Sequence, residues 1–378
     1  IFFRPMADGA RAVAPDAASS ARVEPEAEDE RDLPRQGLGL AARMKAYEEP
    51  LDHVVDPNLP FIIRLDGHKF SKFTKGFRKP FDVRLHRAMV RSACDVLSEL
   101  RPTVAYTQSD EITFVFFPEE APAGAGLRRP KAQVEGGSSG PGAPAAPECK
   151  APDENPAPGD EASAASPTSG DKAPAPLHQP LARNAAPSPN LIFNGRIQKL
   201  VSLAASLCAV RFNHYLMQED FGPADAKIVE KVRSGRAYFD GRCFNVPSRE
   251  EAVNNLLWRS LYDCVRNSRL NLGLQHYSPS AIHGLKTADL ILKLEREKGV
   301  VWGDMSNAYK YGTFIKKHLV EKQGMDPRTG ETKTVFRGRI LAQAFQIRFC
   351  EEALEMISAK YWGVYPKEDV EAVWDQGA

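Results

Sequence analysis

Two carboxylates stand where a reaction is most easily built. Asp66 closes the short apolar run Phe61-Ile62-Ile63-Arg64-Leu65 and is followed by Gly67. Asp110 sits beside Ser109 in a polar turn, Gln108-Ser109-Asp110-Glu111, between Val104-Ala105-Tyr106 and the run from Ile112 to Phe117. In a palm-type sheet the first strand lies beside the hairpin made by the other two. Both carboxylates then meet at one end of the sheet, with the Gly67 carbonyl nearby. An all-oxygen site of this kind suits Mg²⁺, a hard ion that keeps several waters and takes further ligands from substrate phosphates. Two such ions about 3.5–4 Å apart activate an attacking hydroxyl and steady a leaving pyrophosphate. Taken singly, each acid also reads as ordinary turn chemistry. Only their joint placement points to a metal, and it names no reaction.

The segment after Asp66 is basic. Lys69, Lys72, Lys75, Arg78 and Lys79 are interleaved with Phe70, Phe73 and Phe77. One reading is a triphosphate cradle, in which backbone N–H groups after Gly67 and cationic heads face phosphate oxygens while the phenylalanines anchor the loop. The other is a solvated face whose phenylalanines are plain core. The adjacent carboxylate favours the cradle.

The elements that must position these groups are readable from periodicity. Leu85, Met89, Val96, Leu97 and Leu100 recur at helical spacing between Asp82 and Leu100, and Leu200, Leu203, Ala204 and Leu207 do so from Arg196 to about Leu216. Cys243-Phe244-Asn245-Val246 is a short strand ended by Pro247, and Ser248-Arg249-Glu250-Glu251 is a capping-box signature opening a helix to about Gln275. A further helix spans roughly Ile282 to Lys298, and Asp326-Pro327-Arg328-Thr329-Gly330 is the turn of a hairpin. The order predicts an α+β fold, a mainly antiparallel sheet covered by helices on one face. Residues 1–42 and 119–189 lack hydrophobic periodicity and are rich in Ala, Pro, Gly or Ser. They read as a disordered N-terminal segment and a disordered insertion. The insertion divides one domain into 43–118 and 190–339, because a long surface loop adds little closure entropy. Residues 340–378 read as a C-terminal helical region that packs on the core or between subunits.

Composition bounds the rest. The 378 residues carry 50 basic and 49 acidic side chains, a formal net charge of +1. A nucleic-acid partner would therefore need locally clustered cations. No apolar run approaches the length of a membrane span, so no membrane partner is expected. None of the six cysteines forms a C-x-x-C pair or joins a zinc-spaced cluster. Reduced thiols and a cytoplasmic location are the default expectation. The chain opens on Ile1, and Met6 is the first candidate initiator.

Several motifs in one order resemble the tRNA(His) guanylyltransferase family. They are Arg64-Leu65-Asp66-Gly67-His68-Lys69-Phe70-Ser71-Lys72-Phe73, Lys79-Pro80-Phe81-Asp82 and Tyr106-Thr107-Gln108-Ser109-Asp110-Glu111. Phe239-Asp240-Gly241-Arg242, Trp258-Arg259 with Asp263-Cys264, and Tyr309-Lys310-Tyr311-Gly312-Thr313 follow. The resemblance implies a palm fold related to polymerases and nucleotide cyclases, usually in a tetramer, acting on tRNA with GTP and ATP as substrates. It implies 3′-to-5′ addition: ATP adenylates the tRNA 5′-phosphate, the GTP 3′-hydroxyl attacks and releases AMP, and pyrophosphate is removed. It assigns two Mg²⁺ ions to Asp66, the Gly67 carbonyl and Asp110. It assigns nucleotide binding to Asp66, Gly67, His68, Lys69, Phe70, Ser71, Ser109 and Asp110. Lys79, Arg196 and Lys199 are similar to basic residues that handle the activating nucleotide or the tRNA end.

One segment departs from the pattern. After Asp263-Cys264 the family's eukaryotic guanylyltransferases carry His-Ile-Asn-Asn, whereas this chain has Val265-Arg266-Asn267-Ser268-Arg269. That is closer to relatives that repair 5′-truncated tRNAs by templated addition. Arg266, Asn267 and Arg269 are candidate tRNA contacts or simply solvated. A cyclase of the same fold is a competing reading, opposed by Gln108-Ser109-Asp110-Glu111 in place of a Gly-Gly-Asp-Glu-Phe turn. A catalytically silent RNA-binding protein is another, opposed by the presence of both aspartates. The eight histidines show no catalytic dyad spacing, and only His68 lies in a functional motif.

Overall fold

The run Phe61-Ile62-Ile63 has no polar residue to turn toward water, and the strand it forms is covered on both sides. In the computed structural model β1 (Phe61–Gly67) lies inside a seven-stranded sheet of order β4-β1-β3-β2-β5-β6-β7, in which every paired neighbour is antiparallel. The structure describes residues 39–48, 52–118, 191–325, 328, 330–363 and 369–376. The other strands are β2 (Val104–Gln108), β3 (Glu111–Phe116), β4 (Phe239–Asn245), β5 (Thr313–Met325), β6 (Thr332–Ala344) and β7 (Glu371–Asp375).

The expectation of helices on one face is corrected. Ile63, Leu65 and Phe114 pack with α3 (Val83–Leu100) and α4 (Ile197–Met217) on one side, whereas Ile62, Tyr106 and Val115 pack with α6 (Arg249–Trp258) and α10 (Glu351–Ser358) on the other. Alternate residues of β1 thus enter separate cores, which is what an uninterrupted apolar strand signals. Ile62, Ile63 and Leu65 are fully buried, each contributing roughly 1.5–3 kcal/mol by leaving water.

Local chemistry sets the helix ends. The Asp82 carboxylate accepts from the Arg84 amide at 3.0 Å and starts α3, and the Ser248 hydroxyl accepts from the Glu251 amide at 3.2 Å and starts α6. The helix expected to about Gln275 is continuous through α7 (Val265–His276), but Arg259–Cys264 between them winds as a π-helix. α4 is long and apolar enough to cross a bilayer by length and composition, contrary to expectation. In this fold it buries Leu200, Ala204, Cys208, Phe212 and Leu216 and carries Arg211 and His214 outside that stripe.

Two boundaries also change. Residues 340–344, read as helical, finish β6, and the C-terminal region adds edge strand β7 besides α10. Residues 40–42, read as disordered, begin α1 (Leu40–Glu48), a helix of a separate N-terminal unit with no buried residues. The remainder of 1–42 and the 119–189 insertion lie outside the described residues, as do Asp326, Pro327 and Thr329 of the expected turn. β5 and β6 nevertheless pair from Phe314↔Gln343 to Met325↔Thr332.

Candidate nucleotidyl-transfer site

Strand register brings the two aspartates together. Asp66 is the Cα partner of Glu111 on β3 and of Asp240 on β4, and the Gly67 amide donates to the Asp110 carbonyl at 3.0 Å. Asp240, Asp66 and Glu111 therefore form a row of acids across neighbouring strands on one face. Like charges opposite one another destabilise a sheet unless cations answer them. Burial pushes the Asp110 carboxyl above the usual carboxylate range, and the Asp66 charge adds to that push against the lowering hydrogen bond from Ser109. Glu111 is also raised, chiefly by burial, with Arg259 and Arg64 opposing.

The turn holding Asp110 is braced from several sides. Ser109 takes a left-handed conformation (φ 50°) and its hydroxyl donates to Asp110 Oδ1 at 3.0 Å. A non-glycine residue there costs of order 1–3 kcal/mol and persists only where its surroundings hold it. The holding groups come from the π-helical segment. Arg259 Nη1 donates at 2.9 Å to both Glu111 Oε2 and Asp263 Oδ2, and Asp263 Oδ2 also accepts from Gln108 Nε2 at 3.0 Å. Both ends of the turn are thus fixed to one helix. The composition of that helix gave no warning of the network, although an Arg and an Asp at i and i+4 is a readable pairing signal.

The loop after β1 folds its cations out and its aromatic rings in. Lys69, Lys72, Lys75, Arg78 and Lys79 are exposed, Phe70 and Phe77 are buried, and Phe73 is half-buried. A Cβ on Gly67 would stand 2.4 Å from Phe70 Cδ2, so only glycine lets Phe70 fill the core beneath the strand end. The His68 amide donates to the Tyr238 carbonyl at 2.9 Å, and its ring stacks on Tyr238 with centroids 4.9 Å apart. The next amides, of Lys69, Phe70 and Ser71, have no hydrogen-bond partner among the described residues. Three adjacent open donors beside exposed lysines can take phosphate oxygens.

The remaining expected contacts fall elsewhere. Arg266 Nη2 and Asn267 Nδ2 turn onto Asp263 Oδ1 at 3.0 and 3.3 Å, which ties the start of α7 to the same network. The Arg269 guanidinium lies over the Trp302 ring at 4.6 Å. The Lys79 carbonyl accepts from Gln275 Nε2 on α7 at 3.1 Å. Arg196, paired with Asp52 at 4.0 Å, and Lys199 belong to the α4 side of the sheet, opposite Asp66 and Glu111. Lys199 lines an open groove of about 690 Å³ between α4 and β4. The structure does not bring these two to the aspartates.

Asp66, the Gly67 carbonyl and Asp110 supply only oxygen donors. Among the described residues no three His, Cys, Asp or Glu side chains form a metal-holding group. A site with two carboxylates and a carbonyl fits Mg²⁺, whose remaining positions go to water and phosphate. The closed ligand cages of structural Zn²⁺ would not fit it.

Comparison with known proteins gives the lineage. The family model described as tRNAHis guanylyltransferase matches residues 41–135. An uncharacterised protein of Acanthamoeba polyphaga mimivirus is 30% identical over 287 residues, 75% of this chain and 78% of its own. A probable tRNA(His) guanylyltransferase of Drosophila melanogaster is 43% identical over 81 residues, so the chain spans only 28% of that relative. A solved bacterial tRNA(His) guanylyltransferase-like protein in complex with ATP shares the fold, covering 79% of this chain and 92% of its own at a TM-score of 0.50 and 20% identity. The family match falls on β1 through β3, the strands that carry both aspartates and Gly67, and the uncharacterised viral relative aligns with most of the chain; the chain belongs to the tRNA(His) guanylyltransferase family.

Proposed function

We propose that the protein adds a nucleotide to the 5′ end of tRNA, as a guanylyltransferase using GTP after activation by ATP. The observation that carries this reading is the meeting of Asp66, Gly67 and Asp110 at one sheet end, beside the open amides of residues 69–71. Asp66, the Gly67 carbonyl and Asp110 would hold two Mg²⁺ ions. Bound there, the ions would supply Lewis-acid neutralisation of phosphate charge and lower the pKa of the attacking hydroxyl.

The chain's own residues then have separable tasks. The amides of Lys69, Phe70 and Ser71 and the exposed lysines after them orient the triphosphate. His68, fixed by Tyr238, closes the strand side of that loop. Arg259 holds Glu111 in an ion pair, and a cation bound between Asp66 and Asp110 would take the place of Arg64, whose Nη2 lies 3.4 Å from Asp66 Oδ2. Arg266 is 66% exposed and can reach an RNA phosphate from the edge of the network. In the transfer itself the GTP 3′-hydroxyl attacks the adenylated 5′-phosphate of the RNA and AMP leaves; water then cleaves the 5′-triphosphate of the added nucleotide, releasing pyrophosphate and leaving a 5′-monophosphate. A homo-oligomer, of the tetrameric kind that the family resemblance implies, is the assembly we expect to carry this out.

A second reading is templated repair of 5′-truncated tRNAs by the same chemistry. It is favoured by Val265-Arg266-Asn267-Ser268-Arg269, where Arg266 and Asn267 engage Asp263 in place of a His-Ile-Asn-Asn segment. The two readings separate when purified protein, Mg²⁺, ATP and labelled GTP are offered intact tRNA(His) and a tRNA lacking its first nucleotide. Label on the intact tRNA supports guanylation, label mainly on the truncated tRNA supports repair, and label on neither defeats both.

A further inference from the structure

The loop that offers its amides to phosphate is gripped from behind by a helix outside the sheet. α5 (Ala226–Arg233) follows α4 after a short connection and buries Ile228 and Val232 in the same core as Phe70 and Phe77. Its Lys231, half-buried, donates to the Lys75 carbonyl at 2.5 Å and to the Phe73 carbonyl at 3.5 Å. Neither carbonyl receives a backbone amide among the described residues, and Lys231 pairs with no carboxylate there. The backbone of Phe70–Phe73 is helical, and in a helical turn amides and carbonyls leave by opposite ends. An ammonium on the Phe73 and Lys75 carbonyls therefore holds the end of the loop that faces away from the open amides of Lys69, Phe70 and Ser71.

A second grip lies further along the loop. Asp82 Oδ2 accepts from the Arg78 amide at 3.0 Å, and Arg84 clasps the same carboxylate through Nη2 at 2.8 Å and Nε at 3.0 Å. Arg84 Nη1 then donates to Asp225 Oδ2 at 2.6 Å, at the start of α5. Phe77 meets Phe221 edge-on with centroids 6.3 Å apart, and the Arg84 guanidinium lies over the Phe221 ring at 4.4 Å. Between the two grips Gly76 takes φ 102°, a conformation that favours glycine, with Ile228 Cγ1 3.8 Å from where a Cβ would stand. Residues 73–82 are thus tied to α5 at both ends, while the side chains of Lys72, Lys75, Arg78 and Lys79 stay exposed. Removing Asp82 or Arg84 would strand a buried charge, so Lys231 is the grip that can be released with the fold intact.

We propose that α5 is a clamp that presets this loop for a nucleoside triphosphate, and that Lys231 is a positioning residue for the nucleotide, acting through the Phe73 and Lys75 carbonyls without touching the ligand. The proposal rests on the nucleotidyl-transfer reading above and deepens it. A phosphate chain is met by several donors at once, and a loop already fixed in its binding geometry loses less entropy on binding than one that must first be ordered. When the GTP 3′-hydroxyl attacks, the GTP triphosphate takes no part in the bond changes. The loop therefore grips it equally before and during transfer, and its ordering shows in KM rather than in kcat.

The test compares the full chain with Lys231→Met, Lys231→Arg and Lys227→Met. Lys227 is exposed one turn back on α5 and has no hydrogen bond to the loop, so its variant removes the same charge and leaves the clamp. Calorimetric titration with GTP and Mg²⁺, hydrogen exchange of residues 67–80 in the free protein, and steady-state transfer are read on each. Lys231→Met is expected to bind GTP about tenfold more weakly, the scale of one charge-assisted hydrogen bond. KM for GTP should rise equally, with kcat within about twofold of wild type, and the loop amides should exchange several-fold faster. Lys231→Arg should recover most of the affinity, and Lys227→Met should match wild type. Wild-type GTP affinity in Lys231→Met would overturn the proposal, as would an equal weakening in Lys227→Met, which would make the effect one of bulk charge. A fall in kcat with unchanged affinity would overturn it too. A wild-type protein that binds GTP but transfers nothing to RNA defeats the function reading while affinity and exchange still judge the clamp; one that binds no GTP overturns both.

Discussion

Replacing Arg259 by Met should loosen the turn that holds Asp110, and the structure sets the scale. The guanidinium is 8% exposed and serves Glu111 and Asp263 at 2.9 Å each. Removing one member of a buried ion network typically costs about 3–5 kcal/mol, because the partner charges remain buried. Compensation limits the loss here. Arg64 stays 3.5 Å from Glu111, and Arg266, Asn267 and Gln108 stay on Asp263. The expected loss is therefore near the lower end, about 3 kcal/mol, or a fall in Tm of roughly 6–12 °C for a folded region of this size. Groups that orient metal-binding side chains commonly affect activity 10–100-fold, and kcat should fall in about that range with little change in KM for GTP. Calorimetry without Mg²⁺ and steady-state kinetics at saturating Mg²⁺ read the two effects separately. Arg259→Lys should recover part of the stability and little of the rate, since an ammonium keeps the charge without the fork that reaches both acids. An Arg259→Met protein that melts within about 2 °C of wild type and transfers at the wild-type rate would refute the bracing argument.

Three other outcomes follow from the same geometry. Gly67→Ala places a Cβ against the Phe70 ring and should cost about 1–3 kcal/mol by overpacking; urea unfolding measures it, and Gly67→Ala/Phe70→Leu should restore part of the loss. Asp66→Asn should abolish Mg²⁺-dependent protection in thermal shift and change apo stability little, because the residue is partly exposed and its 3.4 Å pairing with Arg64 is offset by repulsion from Asp110 and Glu111. His86 is buried between Phe81 and Thr313, and burial pulls its pKa down to about 4. The unfolded chain binds that proton near pH 6.5, so His86 costs stability increasingly as pH falls from about 6.5 to 4, by about 3 kcal/mol in all. Denaturation of His86→Gln should show a flatter pH dependence over that window.

How much of this was legible in the sequence follows the range of the interactions. Asp66 at a strand end and Asp110 in a hairpin turn are local facts, set by an apolar run and by turn residues, and the register of β1 against β3 follows once those strands pair. The helix cap at Ser248, read from its sequence, and the N-cap at Asp82, which was not, are equally local. Burial of β1 on both sides was also present in Phe61-Ile62-Ile63, a run without alternation that fits a sheet covered twice better than a sheet covered once. The π-helical segment was not legible, because it depends on how a continuous helix meets the turn rather than on its own composition. The Arg259–Glu111 pair links residues 148 apart in the chain, so no window could contain it. β7 escaped notice because Glu371–Asp375 is short, polar in part and stabilised by β6 on one side only. Arg196 and Lys199 were grouped with the site by resemblance, and the fold puts them on the α4 side of the sheet.

The central claim is that Asp66 and Asp110 together run a nucleotidyl transfer to an RNA 5′ end. The most direct measurement is transfer of label from α-labelled GTP to 5′-monophosphorylated tRNA in the presence of ATP and Mg²⁺, by wild type, Asp66→Ala and Asp110→Ala in parallel. The account predicts a product one nucleotide longer at the 5′ end with wild type, none with EDTA, and a loss of at least about 1000-fold in each variant, about 4 kcal/mol of transition-state stabilisation. Labelled RNA formed equally well by either variant would contradict it.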